Sequence, residues 1–476
     1  MQISRLTLTN FRGLTNHVLD FSPGFNLIVG INGAGKTAVL DALRILLAHA
    51  LPELVVGISR FPGLGLTKGD ITVERGQAYI QADFSRREQT YSLALSEQRY
   101  TTRDAVDSDK GLRDIRDVDA IPRLRHGERL ERGDPRLEGT LRGQTSTRPE
   151  IPGALEPRPN KFVKQQRPQP LVLFFSVRRS IPNNKVSRGN PKAPAYLGIF
   201  DVERGLELAK LTDWWRGREE LANEAPASRS ARQLSAVIEA LGHLLPHLSD
   251  WRIEDDVLTV IKVVEMEHLN INGEGIVEEE PRRLPVSILS DGERSLIALG
   301  ADIAHRLVLL NEDSENPLGE GEGVVLIDEL DLHLHPKWQR TVVESLRGAF
   351  PKLQFICTTH SLFLIQSQRM GNLIRLDHQG DEEEPAEHYH QKSIEDIAEE
   401  VQGVDIPQKS KRYLDMMAAA EEYYGLLRQV DAESQHANEL AELKRKLDTL
   451  VTPFSDDPAF QALLKQERMR VIGAEE

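Results

Sequence analysis

Lys36 and Thr37 close the run Gly30-Ile31-Asn32-Gly33-Ala34-Gly35-Lys36-Thr37, a match to the pattern G-x-x-x-x-G-K-[ST]. An ammonium and a hydroxyl at that spacing behind glycines suit the cradling of a polyphosphate. Glycines at 30, 33 and 35 let the backbone turn N–H groups inward around the anion, with Asn32 and Ala34 completing the loop. Lys36 is placed to reach the β- and γ-phosphates of ATP, and the Thr37 hydroxyl to ligate Mg²⁺. Far downstream, Val324-Val325-Leu326-Ile327 runs into Asp328-Glu329. An apolar strand ending in two acids offers one carboxylate, Asp328, to hold Mg²⁺ through water, and a second, Glu329, to orient or deprotonate an attacking water.

These groups work only if regular elements bring them together. Phe25 to Val29 reads as a buried strand entering the glycine loop, and Ala38 to Leu47 places apolar residues on one face of a helix leaving it. The positive end of that helix favours an anion at its start. Leu353 to Thr358 is a β-rich run that ends in Thr359-His360-Ser361, and Asn372 to Leu376 reads as a last core strand. Leu171 to Arg179 is a buried strand closing on basic residues. Segments around Leu211 to Arg216 and Leu234 to Leu245 form a helical lobe, in which Trp214 and Trp215 serve packing. Leu258 to Val264 alternates as a strand. The tail carries amphipathic helices over Ser393 to Val401, Lys411 to Val430 and Ala437 to Leu450.

Order and spacing carry a resemblance. Leu289-Ser290-Asp291-Gly292-Glu293-Arg294, set before an apolar helix running to Leu310, resembles the signature motif of ABC-type ATPases in the form of the RecF, SMC and Rad50-like branch. The amino-terminal strand Ile3 to Gly13, ending in Asn10-Phe11-Arg12-Gly13, is similar to the first strand and turn of the same heads. The resemblance implies that Ser290 and Gly292 meet the γ-phosphate held by a second subunit, that His360 senses this phosphate and helps position water, and that Arg12 lies near the nucleotide. Asp331 to Pro336 matches the loop after the catalytic glutamate; His333 and His335 therefore give no metal reading, since no cysteine ligands accompany them.

The expected fold is thus α/β, an ABC-type (RecF/SMC-like) P-loop ATPase head with a helical lobe and a short helical carboxyl-terminal region. Its parts divide as 1–98, the first half of the head; 99–170, a basic insertion; 171–280, the lobe and returning strands; 281–380, the second half of the head; and 381–476, an acidic loop and helical tail for oligomerisation or partner docking. Between Arg99 and Lys192 roughly twenty Lys and Arg face about a dozen acids with few aromatics. The composition fits a solvated linker, with a nucleic-acid contact as the alternative.

Composition excludes several classes. The formal net charge of -15 argues against a chain that coats nucleic acid over its whole surface. No apolar run is long enough to cross a bilayer, and the start reads as a strand instead of a leader, which places the protein in the cytoplasm. A single cysteine, Cys357, excludes an intrachain disulfide and a zinc hook. The insertion lacks the sustained heptads of an SMC-type arm, and no Asp-x-Asp strand of a Toprim nuclease follows the head. The whole arrangement resembles the PtuA-type ATPases of Septu and related retron defence systems. That family implies an ATPase subunit that forms a homodimer or higher homo-oligomer and works beside a separate HNH nuclease, with nucleic acid reached through the complex and no membrane. A RecF-like repair ATPase acting on DNA without a nuclease partner stays open as the alternative.

Overall fold

Polar residues are scarce along the strands at the centre of the computed structural model, and those strands are buried on both faces, the habit of a parallel sheet covered by helices. The structure describes residues 1–55, 61, 63–86, 89–98, 169–177, 194–202, 208–226, 228–269, 275–369, 371–376, 386–404, 411–429 and 437–451. The basic insertion read over 99–170 (all but its last two residues), the acidic loop at 381–385 and the tail beyond 451 lie outside them.

The chain divides into two compact units, Met1–Ile397 and Ala398–Glu476. In order, the elements are β1 (Gln2–Phe11), β2 (Leu14–Asp20), β3 (Phe25–Val29), α1 (Lys36–Leu54), β4 (Gln77–Arg86), β5 (Gln89–Gln98) and β6 (Leu171–Phe175). There follow α2 (Leu208–Glu224), α3 (Arg229–Leu244), β7 (Leu248–Glu254), β8 (Val257–Leu269) and β9 (Gly275–Pro285). The last elements of the head are α4 (Asp291–Leu310), α5 (Pro317–Glu320), β10 (Gly323–Ile327), α6 (Pro336–Gln339), α7 (Val342–Ala349), β11 (Leu353–Thr358), α8 (Leu362–Ser367), β12 (Asn372–Arg375) and α9 (Ala386–His390). After α10 (Ile394–Gln402), α11 (Lys411–Gln429) and α12 (Ala437–Val451) pack on each other through Met416, Ala419, Ala420 and Leu447.

The parallel sheet has the order β12-β3-β11-β10-β6. β11 therefore separates the strand that feeds the glycine loop from the strand that ends in Asp328. A second, antiparallel sheet runs β2-β1-β4-β5. One buried amide stitches the layers, since Gln354 donates to Ile3 O at 2.8 Å and accepts from Ile3 N at 2.7 Å, and a second ties β3 to β11 within the parallel sheet, where Asn26 donates to Phe355 O at 3.2 Å. Each polar group so paired avoids the cost of burial without a partner.

The lobe holds α2 and α3 with a third sheet, β7-β8-β9. α3 starts at its cap Ser228, whose side chain accepts from Ala231 N at 3.2 Å. It approaches α4 so closely that a methyl on Gly300 would fall 2.2 Å from Leu244 Cδ1. Trp215 is fully buried with its ring centroid 6.2 Å from that of Trp251, and Trp214 lies 4.6 Å from His305, the packing role expected of both. Among the described residues no helix is long and apolar enough to cross a membrane.

A candidate nucleotide site at the carboxyl edge of the parallel sheet

Ligands of open parallel sheets bind beyond the carboxyl ends of the strands, and here three of those ends carry the predicted chemistry. β3 delivers the glycine loop. Gly33 and Gly35 adopt φ of 85° and 100°, and a Cβ on Gly35 would come within 2.8 Å of Leu14 Cδ2, so both sites demand glycine. α1 then begins at Lys36, two residues before the start read from periodicity, because the loop itself feeds the first helical turn. Its N-cap Gly35 provides no side-chain cap and its first turn holds no acid, so the helix end presents its N–H groups and positive dipole uncompensated. Lys36 is buried and donates to the carbonyls of Gly30 at 2.8 Å and Ile31 at 3.0 Å, laying its ammonium across the loop.

Thr37 and Asp328, far apart in sequence, meet: the hydroxyl lies 3.1 Å from Asp328 Oδ2 and 3.3 Å from Oδ1. These hard oxygen donors suit Mg²⁺. The pairing follows from register, since β10 and β11 run parallel with Ile327 beside Cys357, and β11 runs beside β3 with Thr358 next to Ile28. Thr358, fully buried at the end of β11, donates to Asp328 Oδ1 at 2.6 Å and accepts from Glu329 N at 2.8 Å. One hydroxyl thus holds the Asp328 carboxylate and the Glu329 backbone. Glu329 sits in the left-handed region at φ 48°, a conformation costly for a side-chain-bearing residue and concentrated at functional sites. His360 follows on the same edge, half-buried, between Thr359, whose N–H reaches Ile28 O at 3.3 Å, and Ser361, whose hydroxyl donates to Gln339 at 2.6 Å. Thr359 also bonds Asp331, tying this strand end to the loop after Glu329.

Arg12 is brought to α1 by an ion pair with Asp41, and its Nε donates to Asp70 at 2.7 Å. Burial alone would raise the Asp70 carboxyl, but hydrogen bonds from Thr67 and Arg12 hold it below the usual range. The guanidinium is therefore anchored to the helix that follows the phosphate loop.

Ser290 and Gly292 occupy the start of α4, which begins at Asp291, four residues ahead of the apolar run that marked it in sequence. Ser290 is exposed and forms a capping box with Glu293: its N–H and hydroxyl lie 3.0 Å and 2.7 Å from Glu293 Oε2. Gly292 is buried, and a methyl there would fall 2.7 Å from His333 O and 2.9 Å from Trp338 Cζ3. The need for glycine at this position has a cause within the chain itself. His335 caps α6 by accepting from Lys337 N at 3.2 Å.

Sequence reasoning identified the acids and the loop and missed what holds them. Thr358 was legible only as a polar residue closing an apolar strand. Trp338, His247 and Lys262, which surround Gly292 and Glu293, carried no signal, since their roles depend on contacts across three elements.

Two family models match, "AAA domain" over residues 5–131 and "AAA domain, putative AbiEii toxin, Type IV TA system" over residues 214–366. The "Retron Vc95 probable ATPase" of Vibrio cholerae is 34% identical over 266 residues, 46% of this chain and 50% of that protein, so the match spans about half the relative's length. The Septu protein PtuA of Bacillus thuringiensis is 34% identical over 471 residues, covering 95% of this chain and 94% of its own. Among solved structures, the SMC head domain from Thermotoga maritima aligns at 16% identity over 79% of this chain and 94% of its own, with a TM-score of 0.36.

Proposed function

The chain belongs to the family of the Septu protein PtuA, and on that basis we propose that it is the ATP-binding and ATP-hydrolysing subunit of an antiphage defence complex. The single observation that carries the chemistry is the convergence of Thr37 and Thr358 on the Asp328 carboxylate at the sheet edge, with the same Thr358 hydroxyl accepting from Glu329 N.

Lys36 and the N–H groups of residues 33–37 bind the phosphates, and Arg12, fixed to α1, lies beside them. Thr37 and Asp328 would hold Mg²⁺, which when bound neutralises charge on the β- and γ-phosphates. Glu329 orients the attacking water and accepts its proton, and His360 contacts the γ-phosphate from the neighbouring strand end. Ser290 and Gly292 complete the site of a second copy, so that ATP joins two heads and hydrolysis releases them. The nucleotide state in turn governs a separate HNH nuclease, docked through the helical tail, while this chain itself cuts no nucleic acid. The cytoplasm is its place of action.

Phosphate release and nucleotide binding test the reading together. Lys36→Ala should abolish ATP binding, whereas Glu329→Gln should bind ATP and keep it unhydrolysed. Equal turnover in the parent and Glu329→Gln removes Glu329 from its role. Magnesium-dependent DNA cleavage by the purified chain that survives Asp328→Ala would overturn the division of labour with a nuclease.

A further inference from the structure

Glu293 is a fully buried carboxylate whose oxygens are shared among three elements. Oε1 receives Lys262 Nζ from β8 at 2.7 Å and His247 Nε2 from the turn before β7 at 2.9 Å; Oε2 receives the N–H and hydroxyl of Ser290. Burial alone would raise this carboxyl, yet the hydrogen bonds from Lys262, His247 and Ser290 hold it at about 2, so it is charged. His247 in turn stacks on Trp338, centroids 5.7 Å apart and planes 17° apart, and the same indole covers Gly292.

A serine hydroxyl has one proton to give. Here Ser290 spends it on Glu293 Oε2. A γ-phosphate oxygen at neutral pH only accepts, so engagement of a phosphate requires Ser290 to turn that proton outward. It also sets a second anion within a turn of Glu293, at a helix start that already carries Asp291. Asp291 is paired with Arg294. For Glu293 the compensating charge comes from outside the helix.

We propose that Lys262, supported by His247, is a positioning residue for hydrolysis in trans: it compensates the charge of Glu293 so that Ser290 can release its hydrogen bond and donate that proton to the γ-phosphate held by a second copy. The inference rests on the two-headed site proposed above. Lys262 touches no nucleotide; it acts through Glu293 on Ser290.

The test uses the full chain. Binding of a fluorescent ATP analogue reports the phosphate loop, and ATP-dependent self-association in a Glu329→Gln background reports the joined heads. Turnover and KM are measured with Glu329 intact. Lys262→Met should lower association at least about tenfold and reduce kcat, with analogue affinity and KM near those of the parent. Lys262→Arg should restore both, and Lys262→Met with Glu293→Gln should recover much of the association, because a neutral amide needs no counter-ion. A folded Lys262→Met that associates and turns over like the parent, while Ser290→Arg does neither, overturns the role of Lys262. If Ser290→Arg also associates and hydrolyses normally, the two-headed site itself falls. Should Lys262→Met not fold, the other two variants decide: loss of association in a folded Lys262→Arg or double variant refutes the charge-compensation role.

Discussion

Replacing Thr358 by valine removes one hydroxyl and almost no volume. Two bonds go with it: the 2.6 Å donation to Asp328 Oδ1 and the 2.8 Å acceptance from Glu329 N. The bond to Asp328 lies where water is excluded, since Thr358 and Asp328 are 0% and 2% exposed, and the bond from Glu329 N is partly buried. A hydrogen bond to a charged group contributes about 1.5–3 kcal/mol, and an orphaned buried N–H costs about 1–3 kcal/mol. A stability loss of roughly 3 kcal/mol follows, seen as a melting point lower by several degrees. If the loosened Asp328 carboxylate costs only that charged bond in the transition state, turnover falls between about tenfold and about a hundredfold. Thr358→Ser keeps the hydroxyl and should keep most of both. The assay pairs steady-state phosphate release at saturating ATP and Mg²⁺ with thermal unfolding of the same preparations. Parental turnover in a folded Thr358→Val would show that the acids need no such bridge and that the geometry has been misread.

Gly292→Ala should destabilise by about 1–3 kcal/mol, because the methyl meets a carbonyl and an indole instead of open space; a denaturation curve indistinguishable from the parent would contradict the packing. Glu293 is ordinarily a group of pKa 4.5 and is held at about 2 when folded. Its contribution is therefore present above the unfolded value and lost as pH falls from about 4.5 toward 2, on the order of 3 kcal/mol, and Glu293→Gln should flatten that stretch of the stability profile. Mixed dimers of Ser290→Arg with Lys36→Ala should regain one working site, read as phosphate release above either parent alone. Deleting Lys411 to Arg470 should leave nucleotide affinity near normal and abolish either higher assembly or co-purification of the proposed nuclease partner, which size-exclusion chromatography and pull-down will report.

What could be read in advance was what lies close along the chain. β3 and β10 are apolar runs punctuated by glycine or acid, and such runs have one comfortable home, the middle of a parallel sheet. β9 escaped notice because Glu278-Glu279-Glu280-Pro281-Arg282-Arg283 has neither alternation nor β propensity; it is a strand because β8 pairs with it from Thr259–Pro285 to Leu269–Gly275. Ser290 through Glu293 was read as a signature motif set before a helix, and the structure makes it the capped start of that helix. That a lysine from β8 would neutralise the capping glutamate could not be read, since nothing local links Lys262 to Glu293. Likewise the Thr358 bridge exists only once β11 has been placed between β3 and β10, a matter of topology instead of pattern.

The placement of β3 has a consequence for how the molecule is born. Its two neighbours in the sheet, β11 and β12, are among the last strands of the head to leave the ribosome; Asn26 and its partner Phe355 are 329 residues apart. At elongation rates of roughly 5–20 residues per second, the phosphate-loop strand waits on the order of 15–65 s with both edges unpaired. During that interval the local hairpin β1–β2 can form, but the sheet that holds the loop in shape cannot. Chains released before residue 353 should therefore be unable to bind nucleotide and should be cleared by proteolysis, so that only a nearly complete head acquires its ligand.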